Sequence, residues 1–128
     1  MMFSGALERH PRLRLVLAEA GIGWLPYLLH RMDHTIELHC RRREGQIRTR
    51  PSELFRRQVF ATFEEEPLAA QLIPLVGAER VMWACDYPHP DSTWPHSRKA
   101  IEESFGALDA GTVQRITAEN CRSLYRFD

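Results

Sequence analysis

Four acidic positions and one histidine carry the chemistry that can be read from this sequence. Asp86 directly follows the apolar run Val81-Met82-Trp83-Ala84-Cys85. A carboxylate at the edge of a dry core is costly unless it is paired, hydrogen-bonded or bound to a metal. It could hold a divalent ion, or it could cap the turn that follows; spacing alone leaves both open. Glu19 closes the run Leu13-Arg14-Leu15-Val16-Leu17-Ala18, and Glu64-Glu65-Glu66 closes Gln58-Val59-Phe60-Ala61-Thr62-Phe63. His89, Asp91 and Trp94 lie in the Pro-rich stretch after Asp86, where they could reach a substrate or stabilise the loop. Carboxylates at the ends of successive strands have a functional logic, because the C-terminal strand ends of an α/β barrel form its active face.

The elements that must position these groups read as alternating strands and helices. Leu13 to Ala18, bounded by Pro11 and by Gly21 and Gly23, predicts a buried strand. Apolar residues at helical spacing from Trp24 through Leu28, Met32 and Ile36 predict a long amphipathic helix, with Arg41 to Arg43 at its C-terminus and Gly45 beyond. Ser52 is placed to cap a short helical turn, and Gln58 to Phe63 has the content of a second strand. Pro67 is expected as the first residue of a helix that Pro74 and Gly77 close. Arg80 to Cys85 predicts a third strand. Ile101, Phe105 and Leu108 mark a further helix face, and Thr112 and Thr117 are plausible caps of a final helical pair ending at Leu124-Tyr125. This order implies parallel strands joined by right-handed crossovers. Three such strands leave both edges unpaired, so the pattern reads as part of a larger sheet.

Composition narrows the function classes. The chain has 128 residues, enough for one domain, and its 17 basic and 17 acidic residues cancel. That balance argues against nucleic acid or an anionic membrane surface as partner. Cys40, Cys85 and Cys121 form no CxxC pair, which favours neither a zinc knuckle nor a disulfide framework and points to a reducing, cytoplasmic setting. The start, Met1 to Gly5, lacks a basic region followed by an apolar run, and no stretch approaches the ~18 apolar residues of a membrane helix.

Several motifs in order resemble one family. Phe3-Ser4-Gly5 and His10 through Pro26, with the core Leu15-Val16-Leu17-Ala18-Glu19-Ala20-Gly21, resemble the sixth strand and following helix of the amidohydrolase-2 family. Val81 to His89 resembles its eighth strand, and Ile116-Thr117-Ala118-Glu119-Asn120-Cys121-Arg122-Ser123-Leu124-Tyr125 its closing helix. The resemblance, to the aminocarboxymuconate-semialdehyde decarboxylase-like amidohydrolases, covers residues 1–128. It implies an α/β fold: part of a TIM (β/α)8 barrel, about its last three βα units and the closing helix.

What the resemblance implies for function is a metal-dependent hydrolase or non-oxidative decarboxylase acting on a small carboxylated or cyclic organic substrate. Asp86 would be catalytic and the metal ligand, with zinc or manganese as the ion in the full-length family. Glu19 stands where well-studied decarboxylases carry a histidine, so it becomes a second catalytic candidate; a structural role in the Gly21–Gly23 turn is the alternative. His89, Asp91 and Trp94 would contact substrate. The family's first-strand histidines and the histidine after the fifth strand have no counterpart here, so the chain alone should hold metal weakly or not at all and be inactive by itself. A homo-oligomer or the missing N-terminal barrel portion would then be the partner. The competing reading is a non-catalytic α/β module that binds a partner or its own copy through sheet edges. His30 and His34, with His39, read as surface histidines because the glutamate of HExxH is absent, and Asn120 reads as a structural hydrogen-bonding residue.

Overall fold

The computed structural model describes residues 1–40 and 47–127. A three-stranded parallel sheet in the order β1-β2-β3 forms its centre: β1 is Leu15–Leu17, β2 Val59–Phe63 and β3 Val81–Trp83. Leu15, Val16 and Leu17 pair with Val59, Phe60 and Ala61; Ala61, Thr62 and Phe63 pair with Val81, Met82 and Trp83. Side chains alternate across a sheet, and this register puts Leu15, Leu17, Val59, Ala61, Phe63, Val81 and Trp83 on one face. All seven belong to or pack on the apolar core beneath the helices.

Helix α1 (Ala6–Arg9) precedes β1, and between the strands run α2 (Leu25–Thr35, continued by a π turn Ile36–Cys40), α3 (Pro51–Gln58) and α4 (Ala69–Val76). After β3 come α5 (Ser97–Phe105), α6 (Ala110–Gln114), a π turn Arg115–Glu119 and α7 (Asn120–Tyr125). Phe63 and Phe105 meet edge to face at 5.8 Å and bind the sheet to α5. Pro51 opens α3, where its missing N–H has no intrahelical partner. Gly77 ends α4 with φ of 104°, a conformation that a side chain would strain.

All three predicted strands exist, in parallel order, but each is shorter than its apolar run. β1 is half-buried throughout rather than buried, and among the described residues no strand pairs with its outer edge. Gln58 ends α3 instead of starting β2, its side-chain amide donating to the carbonyls of His10 and Leu13. Ser52 does not cap: it lies inside α3, and its hydroxyl and backbone N–H both donate to the Asp33 carboxylate. Pro67 precedes α4 rather than opening it, and Pro74 lies within the helix, leaving Gly77 to close it. The expected final helical pair is one continuous helical stretch. Asp109 caps it, accepting from the backbone N–H of Thr112 at 3.0 Å, while Thr117 lies inside it and donates to the Val113 carbonyl. Helix α1 was not anticipated. Arg41 to Arg43 and Gly45, the expected end of the long helix, fall outside the described residues.

Candidate active face

The three carboxylates expected at strand ends do lie there. Glu19 follows β1 by two residues, with its backbone N–H bonded to the Thr62 hydroxyl at 2.8 Å. This ties the end of β1 across the end of β2. Glu64 follows β2 directly, and its carbonyl accepts the indole N–H of Trp83 at 3.1 Å. The ladder extends one residue past β3, Ala84 donating to the Phe63 carbonyl, and two residues later the chain delivers Asp86. Glu19 and Asp86 both have left-handed backbones, with φ of 53° and 55°. Such conformations are uncommon outside glycine and cluster where function over-determines the backbone.

The loop after Asp86 is braced from within. Cys85 presents its carbonyl to the Ser92 hydroxyl at 2.6 Å and to the Thr93 N–H at 3.1 Å; Ser92 in turn accepts from the Trp94 N–H. This folds His89 and Asp91 back over Asp86. Nδ1 of His89 lies 3.3 Å from Oδ2 of Asp86, and one ligand atom from each of Asp86, His89 and Asp91 lies within 4.8 Å of the others. Asp86 is nearly buried while His89 is open to solvent. The turn-capping alternative for Asp86 fails, because its backbone carbonyl, not its carboxylate, accepts the His89 N–H.

Electrostatics independently tie Glu64 to the same place. Its carboxyl is held above the ordinary glutamate range, first by burial and then by the negative charges of Asp86, Asp91 and Glu19, against a smaller opposing effect of His89. Two carboxylate oxygens and an imidazole nitrogen, with further carboxylates around them, form a donor set suited to manganese or zinc. No other group of three such side chains comes together among the described residues; His30 and His34 lie apart from it on α2.

Some assignments change. The Gly21–Gly23 turn is held by Glu66, not Glu19: its Oε2 accepts from the N–H groups of Ile22 and Gly23, both at 3.2 Å. Trp94 does not pack beneath its loop. It is exposed and meets the equally exposed ring of Tyr87 edge to face at 5.8 Å. Sequence reasoning missed Tyr87 and did not single Glu64 out of its run; the signal for Glu64 was its place immediately after the last strand residue. Asn120 is structural as expected, its amide donating to the carbonyls of Ala78 and Val81.

Comparison with known proteins gives the family and the fold. The sequence profile of the amidohydrolase family matches residues 1–127. A gamma-resorcylate decarboxylase from Rhodococcus jostii is 34% identical over 137 residues, aligned to the whole of this chain and 38% of its own length. The crystal structure of 5-carboxyvanillate decarboxylase from Sphingomonas paucimobilis superposes with a TM-score of 0.81 at 28% identity, covering 100% of this chain and 38% of that one. A dihydroxybenzoic acid decarboxylase from Polaromonas, solved with manganese and 2-nitroresorcinol, shares the fold at a TM-score of 0.75 and 21% identity. The chain thus spans well under half the length of these relatives, and its sheet is a segment of a TIM barrel. With the family's profile matching almost its whole length, this chain belongs to the amidohydrolase family.

Proposed function

We propose that this chain supplies one part of the active face of a metal-dependent, non-oxidative decarboxylase of small aromatic carboxylates. The observation that carries the reading is the convergence of Asp86, His89 and Asp91 beside Glu64 and Glu19 at the C-terminal end of a parallel sheet. Asp86 is the metal ligand, and His89 steadies it through Nδ1 and offers a further donor. A bound manganese or zinc ion would hold the substrate's oxygens and draw electron density from the ring. Loss of carbon dioxide leaves an electron pair on a ring carbon, which must receive a proton. Glu64, whose carboxyl holds its proton more tightly than an ordinary glutamate, is suited to keep one there, with Glu19 as a second candidate. Asp91 and the Tyr87–Trp94 pair border the site, and exposed rings give a planar substrate a face to stack on.

Catalysis needs more than these residues. Catalytic divalent sites use about three protein ligands plus an open position, and barrel enzymes draw substrate contacts from several loops. The activity therefore belongs to a barrel that includes this segment, and the free Cys85 and Cys121 suit a reducing compartment. Among the described residues no helix is long and apolar enough to cross a membrane.

The test is a barrel in which this chain follows the upstream part of the Rhodococcus jostii relative, assayed with 2,6-dihydroxybenzoate and manganese for release of carbon dioxide. Asp86→Asn should abolish turnover and lower manganese affinity at least tenfold. Unchanged turnover in that variant removes Asp86 from the reaction. Hydrolysis of an ester or amide without decarboxylation would put the chain with the family's hydrolases instead.

A further inference from the structure

Two large aromatic rings stand in the open beside Asp86. Tyr87 is 65% exposed and Trp94 63%, and they meet edge to face at 5.8 Å. Such a pair offers a flat ligand a face to lie on. An open ring serves as a platform only if it is held, because an indole free to change rotamer gives up that freedom on binding and weakens the complex accordingly.

The loop backbone holds both rings. Tyr87 lies inside the turn closed by the His89 N–H on the Asp86 carbonyl at 2.9 Å, and Trp94 inside a second turn, closed by the His96 N–H on the Thr93 carbonyl at 2.7 Å. Thr93 is buried, and its hydroxyl meets that of Ser97 at 3.0 Å where α5 begins. One group spans the two turns. The Ser92 hydroxyl donates to the Cys85 carbonyl at 2.6 Å and accepts from the Trp94 N–H at 3.1 Å. A single oxygen thus ties the residue that carries the indole to the residue that leads into Asp86. The two ends of this tie are not equally dependent on it. The Cys85 carbonyl also accepts the Thr93 N–H at 3.1 Å, whereas among the described residues the Trp94 N–H has Ser92 alone. Removing the hydroxyl therefore releases Trp94 and leaves Cys85 held.

We propose that Ser92 is a positioning residue for the aromatic part of the substrate: its hydroxyl fixes the Trp94 ring relative to Asp86, so that a flat ring lying on Trp94 turns its oxygens toward Asp86. The inference rests on the function proposed above for the nature of the ligand, a planar ring bearing oxygen substituents; the coupling of Ser92 to Trp94 does not depend on the reaction. A hydroxyl can act at both ends because it carries one donor and two acceptor sites. Alanine has neither, cysteine has weak versions of both, and threonine keeps them. Positioning matters at this scale, since a displacement of about 1 Å can cost on the order of 100-fold in rate.

The first measurement is fluorine NMR of this chain labelled with fluorotryptophan, with Trp94→Phe identifying the Trp94 line among three. Ser92→Ala should move and sharpen that line and leave those of Trp24 and Trp83 in place, and Ser92→Thr should restore it. The second is calorimetry on the barrel described above, loaded with manganese and titrated with 2-nitroresorcinol, the inhibitor held by the Polaromonas relative. Ser92→Ala should weaken binding about tenfold, the worth of one hydrogen bond, and Ser92→Cys should do the same if alanine prevents folding. Trp94→Ala should weaken it by a similar factor, and the double variant should be no worse than Trp94→Ala alone, because Ser92 acts through Trp94. Manganese affinity without the ring should stay near that of wild type, since Thr93 keeps its hold on Cys85. An unmoved Trp94 line, or losses of Ser92→Ala and Trp94→Ala that add in full, overturns the proposal and leaves Ser92 a general support of the loop. A loss of manganese affinity as large as the loss of 2-nitroresorcinol overturns it too, as does a wild-type barrel that does not bind the ring. A barrel that shows this coupling but releases no carbon dioxide leaves the role of Ser92 standing and refutes the function proposed above.

Discussion

Replacing Asn120 tests how Asp86 is positioned, because the residue clamps the start of the strand that delivers it. Asn120 opens α7 at only 9% exposure, and its amide donates to the Ala78 carbonyl at 2.7 Å and the Val81 carbonyl at 2.8 Å. Ala78 begins the tight turn before β3, and Val81 is the first residue of β3. Asn120→Ala removes two hydrogen bonds, each contributing about 1 kcal/mol net, and leaves the carbonyl of fully buried Val81 with one donor fewer, at a cost of about 1–3 kcal/mol. The Ala78 carbonyl, in a half-buried turn, can recruit water instead. The expected loss is about 2–4 kcal/mol, or roughly 10 °C in midpoint for a chain of this size. Asn120→Asp should be worse at neutral pH, since it points lone pairs at two carbonyl oxygens, and should recover in part as acid protonates the new carboxyl. Urea denaturation of both variants, followed by tryptophan fluorescence at two pH values, measures this. A loss below about 0.5 kcal/mol in Asn120→Ala, the size of an ordinary surface change, refutes the clamp, and so does an aspartate variant as stable as wild type at neutral pH.

Glu64→Gln should stabilise the protein in a pH-dependent way. The folded-state pKa of Glu64 is raised by burial and then by Asp86, Asp91 and Glu19, so its contribution is fully present below the ordinary glutamate pKa and is lost as pH rises through the folded value. Thermal melts of the two proteins should therefore coincide at low pH and separate in favour of the variant toward neutrality; a constant gap across the range would contradict the crowding. Glu66→Ala should release the turn after β1, raising amide exchange at Ile22 and Gly23 about tenfold for the loss of charge-assisted bonds, while unchanged exchange would mean the turn holds itself.

What could be read from the sequence was whatever depends on composition over a short window. Apolar runs, the first bounded by Pro and Gly and the second rich in β-branched and aromatic residues, located all three strands, and the acid after each run lies at the same, C-terminal end of the parallel sheet. Boundaries were not legible, because a strand ends where its neighbour's backbone stops offering hydrogen bonds: Arg80 and Cys85 lie outside β3 despite their place in its run. Capping was misassigned for a related reason. Ser52 and Thr112 have the right residue types, but Asp33 and Asp109 accept from them instead; Asp109 stands at ordinary N-cap spacing three residues before Thr112, whereas Asp33, nineteen residues from Ser52, leaves no trace in local pattern. The same holds for Glu66, whose partners at Ile22 and Gly23 are more than forty residues away in sequence. Asp86, His89 and Asp91 were legible as candidates because they fall within six consecutive residues; Glu64 and Glu19 join them only through strand pairing.

The balance of charge at the strand ends argues for an ion more directly than any single residue does. Burial first, and then the negative charges of Asp86, Asp91 and Glu19, raise Glu64, and His89 opposes them. The opposing charge at Glu64 comes from His89, although the chain carries as many cations as anions. Two of the four acids also stand on left-handed backbones, conformations that cost of order 1–3 kcal/mol each. A structure selected only for stability would relieve such an arrangement with one basic side chain or a glycine. Retained together at the open end of the sheet, these acids concentrate negative charge that the divalent cation proposed above would neutralise.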